Sequence, residues 1–242
     1  MVATGDALIE RLASEPRRAG LFLDFDGVLA PIVERPQDAA PPPETRSELE
    51  RLVARYALVA IVSGRAGEDV RERVGVDGIV CVGSHGLELA PQAERWRKTL
   101  AAFAADAPWP AAHVESKGLS ISFHYRDRAD EHEAVRELEA VADTAREEGL
   151  VARFGRKVLE VLPAVGSNKG TAVRRLLEEH GLRRALAAGD DTTDIDSFRA
   201  LDGLELAVRV AVVAPESPQL LREVADVVLD GPEAFLELLR RL

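Results

Sequence analysis

The chain has 242 residues, of which 46% are hydrophobic and 30% are charged, which is ample apolar material for a buried core. Its formal net charge of -11 at pH 7 argues against nucleic acid or an anionic membrane surface as the main partner. No apolar run approaches the ~20 residues that span a bilayer. The single Cys81 excludes an internal disulfide framework, and the N-terminus lacks an apolar signal segment, so we expect a cytoplasmic protein.

The first part of the chain alternates between apolar runs and helical patterns. The predicted elements are a polar amphipathic helix over 1–20, strands over 21–23, 58–62 and 79–82, and helices over 44–56 and 66–74. The run 58–62 is continuously apolar, which is typical of a strand that is buried on both faces. This order of strands and helices predicts a parallel α/β sheet.

The middle of the chain has a different pattern. Residues 120–125 alternate apolar with polar side chains, as a strand with one solvent-exposed face does. The other predicted elements are a charged helix over 130–148 and strands over 150–154 and 158–162. A helix beside one-faced antiparallel strands forms an α+β module. We therefore predict an inserted α+β domain over residues 109–164.

The last part of the chain returns to the first pattern. The segment 167–170 opens a helix over 171–180, and Gly181 ends that helix as a C-cap. The remaining predicted elements are strands over 185–188, 204–210 and 226–229, a helix through Phe198 and a C-terminal amphipathic helix. Residues 1–108 and 165–242 are thus expected to form a Rossmann-like parallel sheet with helices on both faces.

Three predicted strands end in polar loops that contain glycine. These loops are Asp24-x-Asp26-Gly27, Ser63-Gly64-Arg65 and Gly189-Asp190-Asp191. The carboxyl ends of parallel strands share one edge of a sheet, so we expect Asp24, Asp26 and Asp190 to lie close together. Crowded carboxylates raise one another's pKa unless a cation lies between them, and oxygen ligands favour a hard ion such as Mg²⁺.

Lys169 stands in the first turn of a predicted helix, where the partial positive charge of the helix dipole favours acidic residues. A lysine at this position indicates an anion nearby. With Ser63 and a metal ion close by, the expected anion is a phosphate group. Two alternatives remain open: Lys169 as an exposed lysine at a helix start, and Asp190 and Asp191 as simple helix caps.

A metal ion, a phosphate site and a free carboxylate together indicate attack on phosphorus by an aspartate, through an aspartyl-phosphate intermediate. A second carboxylate two residues further on can protonate the leaving alkoxide and then activate water. The metal ion and the lysine would stabilise charge on the transferred oxygens. The sequence therefore predicts hydrolytic phosphoryl transfer.

These motifs resemble, in chain order, the four motifs of the haloacid-dehalogenase-like hydrolases, and the insertion resembles their type C2 cap. The resemblance implies that Asp24 is the nucleophile and Asp26 the general acid and base. It also implies phosphate binding by Ser63, Gly64 and Lys169, and Mg²⁺ binding by Asp24, Asp190 and the main-chain carbonyl of Asp26. Asp191 and Asp194 would support the metal site.

A narrower resemblance, to the trehalose-6-phosphate phosphatase family, lies in residues 23–32, 62–65, 83–88, 115–126, 155–161 and 189–194. The substrate-binding residues that it implies are Arg65, His85, Glu88, Glu115, Lys117, His124, Arg126, Arg156 and Glu160. Leu162 stands where the family often has arginine, and Val158 where it can have a polar residue. These two departures leave the sugar selectivity open.

The favoured function is Mg²⁺-dependent hydrolysis of trehalose 6-phosphate to trehalose and phosphate, by a cytoplasmic monomer with a small-molecule substrate. Three alternatives remain. The first is a phosphatase of the sucrose 6-phosphate or mannosyl-phosphoglycerate type. The second is a phosphotransferase or mutase that passes the phosphoryl group to a second sugar. The third is a non-catalytic sugar-phosphate sensor with a trehalose-phosphate synthase as its partner.

Overall fold

The computed structural model describes the chain in two compact units. The described residues are 4–33, 35–110, 113–155 and 157–242. The first unit, here called the core unit, comprises Met1–Gly86 and Ser167–Leu242. The second, here called the inserted unit, comprises Leu87–Gly166. Within the described ranges, no helix has both the length and the apolar character needed to cross a membrane.

The predicted elements occur in their predicted order, together with a strand over Val114–Ser116 and helices over Arg97–Asp106 and Gln219–Val224 that the sequence pattern did not predict. The strands are β1 (Ala19–Leu23), β2 (Leu58–Val62), β3 (Val80–Val82), β4 (Val114–Ser116), β5 (Ile121–His124), β6 (Leu150–Gly155), β7 (Val158–Pro163), β8 (Arg184–Gly189), β9 (Leu206–Val213) and β10 (Val227–Asp230). The helices are α1 (Gly5–Ala13), α2 (Pro43–Arg55), α3 (Gly67–Val74), α4 (Arg97–Asp106), α5 (Glu131–Glu147), α6 (Lys169–Glu179), α7 (Asp194–Ala200), α8 (Gln219–Val224) and α9 (Gly231–Arg241).

The core unit is built on a parallel sheet with the strand order β10-β9-β8-β1-β2-β3. Every residue of β1 and β2 is buried, which explains their continuously apolar sequences. Helices α1, α2, α3 and α9 contribute side chains to the hydrophobic core on one face of the sheet. Helices α6, α7 and α8 contribute none to that core and contact strands β2, β8 and β9. The predicted doubly covered parallel sheet is confirmed.

The N-terminal helix is shorter than the sequence pattern predicts. The pattern predicts a helix over 1–20, whereas α1 ends at Ala13 and a 3-10 turn, Pro16–Arg18, precedes the first strand. Ala19 and Gly20 are buried and pair with Arg184 and Ala185 of β8. Pairing within the sheet therefore recruits these residues into β1.

The inserted unit is an antiparallel sheet, β4-β5-β7-β6, with α4 and α5 packed in its hydrophobic core. The rings of Phe103 and Phe123 meet edge to face, with centroids 6.3 Å apart. The predicted insertion starts at residue 109, but the compact unit starts at Leu87. The reason is that Leu100 and Phe103 of α4, a helix absent from the predicted elements, pack in the same core as the strands.

Candidate active site

The loops after β1, β2 and β8 lie at the same edge of the core sheet because β1 is paired in parallel with both β2 and β8. Asp24 directly follows β1, Ser63 follows β2, and Asp190 follows β8. Carboxylate oxygens of Asp24, Asp190 and Asp194 lie within 4.8 Å of one another. The side chains of Asp24 and Asp194 are buried. This places three acidic groups in one largely dehydrated cluster.

Lys169 lies buried between two of these carboxylates. Its Nζ is 2.7 Å from Oδ2 of Asp24 and 2.7 Å from Oδ1 of Asp194. Asn168 caps α6 by accepting a hydrogen bond from the N–H of Thr171, so that Lys169 is the first residue of the helix. Burial by itself would lower the pKa of Lys169, but the charges of Asp194 and Asp24 outweigh it and raise that pKa. The lysine therefore stays cationic.

Asp194 shapes the loop that follows β8. Its Oδ2 accepts hydrogen bonds from the N–H groups of Asp190 and Asp191, each at 3.1 Å. Gly189 permits this approach, because a Cβ at that position would lie 2.1 Å from the Cβ of Asp194. Since Oδ1 of Asp194 contacts Lys169, both of its carboxylate oxygens already have partners within the site. The geometry fits the supporting role predicted for Asp194.

The remaining carboxylates of the cluster have strongly perturbed pKa values. Burial raises the pKa of Asp24 to about 7; Lys169 opposes this shift, and the charge of Asp194 adds to it. Burial also raises the pKa of Asp190 to about 9, and the charges of Asp24 and Asp194 contribute to that shift. Dehydrated carboxylates that repel one another are stabilised by a bound cation.

The donor set fits Mg²⁺, because hard carboxylate oxygens are the ligands that this ion prefers. Asp24 and Asp190 are the carboxylates predicted to hold it. Oδ1 of Asp24 accepts a hydrogen bond from the N–H of Phe25 at 2.7 Å and its Oδ2 contacts Lys169, so a bound ion would share Asp24 with these partners. Gly27 has a positive φ of 76°, and a Cβ there would lie 2.2 Å from Oδ2 of Asp190. Glycine therefore leaves the space that the Asp190 carboxylate occupies.

The side chain of Asp26 is held by Arg65. The guanidinium donates from Nε to Oδ2 at 2.7 Å and from Nη2 to Oδ1 at 2.8 Å. Arg65 also donates to the carbonyl of Pro36 and to Asp69, and its guanidinium lies 5.3 Å from the ring centroid of Phe25. The sequence predicted a substrate contact for Arg65; the structure places this side chain on Asp26.

The predicted phosphate loop, Ser63-Gly64-Arg65, lies beside His85. Ser63 is buried, and its Oγ accepts a hydrogen bond from the N–H of Arg65 at 3.3 Å. The imidazole of His85 packs on Gly64, where a Cβ would lie 2.6 Å from Cε1 of the ring. His85 is thus next to the loop that is predicted to bind phosphate.

The inserted unit gathers three of the predicted substrate-binding residues. Oε2 of Glu115 is 3.1 Å from Nε2 of His124 and 3.5 Å from Nζ of Lys117. Burial would raise the pKa of Glu115, but His124 and Lys117 outweigh that effect and lower the pKa to about 2. Lys117 also donates to Oγ of Ser122 at 3.0 Å. These side chains form a compact polar cluster that contains both donors and acceptors.

The other predicted substrate-binding residues of the inserted unit are more dispersed. Glu160 accepts a hydrogen bond from Nε of Arg153 at 3.1 Å. Glu88 is exposed, and so is Arg126, which follows β5. Arg156 lies outside the described residues. The sequence analysis did not predict the contact between Arg153 and Glu160. The antiparallel pairing of β6 with β7 places these two residues opposite each other.

Comparison with known proteins agrees with this architecture. The sequence model of the trehalose-phosphatase family matches residues 22–220. An uncharacterized glycosyl hydrolase of Mycobacterium tuberculosis is 38% identical over 216 residues, which are 80% of this chain and 16% of that protein. The trehalose-phosphate phosphatase of Mycobacterium marinum is 34% identical over 237 residues, which cover 85% of this chain and 60% of that protein. The chain thus spans less than two thirds of the length of either relative.

Solved structures show the same fold. The C-terminal domain of trehalose-6-phosphate phosphatase from Candida albicans aligns with a TM-score of 0.76 and 26% identity, covering 96% of this chain and 94% of that domain. A haloacid dehalogenase-like hydrolase from Bacteroides thetaiotaomicron shares the fold at a TM-score of 0.60 and 14% identity, covering 93% and 99%. The chain belongs to the trehalose-phosphatase family, a family of phosphoric monoester hydrolases.

Proposed function

We propose that the protein hydrolyses trehalose 6-phosphate to trehalose and phosphate, and that Asp24 carries the phosphoryl group as an aspartyl-phosphate. The observation that carries this proposal is the contact between Lys169 and Asp24 in a buried site, two residues before Asp26. A buried lysine that stays cationic keeps an acceptor carboxylate oriented, and it can neutralise charge on an incoming phosphate.

In the first step, a carboxylate oxygen of Asp24 attacks phosphorus and the bond between phosphorus and the sugar oxygen breaks. Asp26, as the carboxylic acid, gives its proton to the sugar alkoxide, and trehalose is released. Arg65 donates hydrogen bonds to both oxygens of Asp26, so Asp26 must give up one of them when it carries the proton on that oxygen. The products of this step are trehalose, the aspartyl-phosphate at Asp24 and the ionised Asp26.

In the second step, the ionised Asp26 takes a proton from water, and the resulting hydroxide attacks phosphorus. The bond between phosphorus and the Asp24 oxygen breaks, so that inorganic phosphate leaves and both aspartates return to their starting states. Ser63 and the N–H of Gly64 are proposed to donate hydrogen bonds to the phosphoryl oxygens. Their position after β2, beside the loop after β1, supports this role.

Asp24, Asp190 and the main-chain carbonyl of Asp26 are proposed to hold Mg²⁺. When bound, the ion would supply positive charge to the phosphoryl oxygens. The raised pKa values of Asp24 and Asp190 support a cation site, because two dehydrated carboxylates without a cation repel each other.

The polar cluster of the inserted unit is proposed to bind the sugar hydroxyls. Glu115 and Glu160 can accept hydrogen bonds from hydroxyl groups, and Lys117 can donate to them. Both carboxylates already have a cationic neighbour that orients them. An analogue that lacks a matching hydroxyl would leave such groups unpaired, and this asymmetry is the physical basis for sugar selectivity.

The test is phosphate release from trehalose 6-phosphate, sucrose 6-phosphate, glucose 6-phosphate and p-nitrophenyl phosphate, each with Mg²⁺ and with EDTA. We expect an EDTA-sensitive preference for trehalose 6-phosphate. A preference for another sugar phosphate would retain the phosphatase and overturn the substrate. Loss of substrate without free phosphate would indicate transfer to a second sugar, and no turnover of any of the four would overturn the proposal.

A further inference from the structure

A left-handed turn follows β3 in the core unit. Ser84, His85 and Gly86 have φ values of 50°, 55° and 94°. Residues with a side chain seldom adopt this region, and two adjacent ones persist there only when the surrounding structure holds them. Ser84 is fully buried, and its Oγ has no hydrogen-bond partner among the described residues. The turn therefore has two features that cost free energy: the left-handed backbone of Ser84 and His85, and the buried hydroxyl of Ser84.

One side of the turn is bonded to the predicted phosphate loop. The N–H of Ser84 donates to the carbonyl of Arg65 at 2.7 Å, and the N–H of His85 donates to the carbonyl of Ser63 at 2.8 Å. The imidazole of His85 packs on the intervening Gly64. Backbone and side chain of the turn thus fix all three residues of the loop.

The other side of the turn contacts the start of α6. A Cβ at Gly86 would lie 2.6 Å from the carbonyl oxygen of Asn168, so only glycine permits this approach. Oγ of Ser167 donates to the carbonyl of Gly86 at 3.3 Å. Asn168 is the N-cap that places Lys169 against Asp24. The turn therefore touches both segments that are proposed to hold phosphate.

We propose that the turn formed by Ser84, His85 and Gly86 is a positioning element for the phosphate group. It sets the distance between the Ser63–Gly64 loop and Lys169. His85 then acts by holding Gly64 in place and makes no contact with the sugar. This differs from the substrate contact that was predicted for His85 from the sequence. This inference rests on the proposed phosphatase function, because it assigns these residues to the same phosphate site. A positioning role explains why a strained backbone persists beside the predicted phosphate loop.

The experiment compares His85→Ala and His85→Asn with the wild-type protein, on trehalose 6-phosphate and on p-nitrophenyl phosphate. Binding of inorganic phosphate is measured separately by calorimetry in the presence of Mg²⁺. For His85→Ala we expect kcat/KM to fall by a similar factor, about tenfold or more, on both substrates, with phosphate affinity reduced alongside. Asparagine tolerates the left-handed region, so His85→Asn should lose less than His85→Ala.

Two substitutions provide matched controls. His180→Asn replaces an exposed histidine at the end of α6 and should leave every readout unchanged. Gly203→Ala introduces a side chain at a left-handed glycine with open space around it, whereas Gly86→Ala also forces the carbonyl of Asn168 to move. We expect Gly86→Ala to weaken phosphate binding and Gly203→Ala to leave it intact.

Loss confined to trehalose 6-phosphate in His85→Ala would overturn the inference and make His85 a sugar contact. Unchanged kinetics and phosphate affinity in both His85 variants would also overturn it. If the wild-type protein hydrolyses neither substrate, the proposed function fails by itself. Weaker phosphate binding by His85→Ala would then still support the positioning role, and equal binding would overturn it.

Discussion

Arg65 holds Asp26 through two parallel hydrogen bonds, at 2.7 and 2.8 Å, across 39 residues of sequence. The planar guanidinium fork matches the geometry of a carboxylate, and an ammonium group cannot reproduce it. The proposed general acid and base is therefore fixed by a neighbouring loop, the same loop that carries Ser63 and Gly64. This pair links the position of the proton donor to the position of the phosphate loop.

Replacing this fork should reduce catalysis. For Arg65→Lys we expect kcat to fall about tenfold to a hundredfold, because one point charge cannot fix both oxygens of Asp26. The measurement is steady-state phosphate release. Arg73→Lys is the matched control, since Arg73 bonds Asp69 and nearby carbonyl groups. Equal losses in the two variants would assign Arg65 a structural role only.

Removing the proposed nucleophile should abolish turnover without abolishing substrate binding. For Asp24→Asn we expect phosphate release to fall by about 10³-fold or more, because an amide oxygen is a poor nucleophile toward phosphorus. Calorimetry with trehalose 6-phosphate should still detect binding. Asp143→Asn, an exposed aspartate of α5, serves as the control. Turnover by Asp24→Asn near the wild-type rate would remove Asp24 as the nucleophile.

Lys169 should be needed for stability as well as for activity. Lys169→Met leaves the buried carboxylates of Asp24 and Asp194 without their cation, which we expect to lower the free energy of unfolding by about 3–5 kcal/mol. Urea denaturation measures the change. The double variant Lys169→Met with Asp194→Asn should recover part of the loss, because one buried charge is removed. Additive losses in the double variant would contradict this account.

The carboxylate cluster should bind Mg²⁺ in the absence of substrate. A ligand that binds only the folded state raises the melting temperature by mass action. We expect millimolar Mg²⁺ to raise the melting temperature of the wild-type protein but not that of Asp190→Asn, and EDTA to abolish phosphate release. Asp38→Asn, an exposed aspartate paired with Arg35, should respond like the wild type. An unchanged response in Asp190→Asn would place the ion elsewhere.

Glu115 should make the protein sensitive to acid. Its pKa is lowered from an ordinary 4.5 to about 2, despite burial, by His124 and Lys117. A depressed carboxyl pKa contributes stability that is present above pH 4.5 and is lost as the pH falls toward 2. The melting temperature of Glu115→Gln should therefore lie below that of the wild type at pH 6, and the difference should shrink between pH 4.5 and 2. A difference independent of pH would show that this ionisation contributes nothing.

Local sequence predicted most of the helices and strands, and it predicted which acidic residues would meet at one edge of the core sheet. The continuously apolar run Leu58–Val62 forms a buried central strand, and the parallel neighbours of β1 bring Asp24 and Asp190 to one edge. Lys169 could be predicted to lie near an anion, because a cation in the first turn of a helix is otherwise disfavoured by the helix dipole. These features depend only on the order of the elements and on residue type, and both can be obtained directly from the sequence.

Only the tertiary structure decided which side chains contact one another across long sequence distances. Nothing near Arg65 in the sequence predicts its bond to Asp26, and nothing near Ser84 predicts a left-handed turn, because both follow from packing between distant segments. Leu100 and Phe103 join the inserted unit because their apolar side chains complete its core. A sequence pattern reports which faces are apolar and which residues are reactive. Which surfaces and side chains meet is set by packing and hydrogen bonding over long sequence distances.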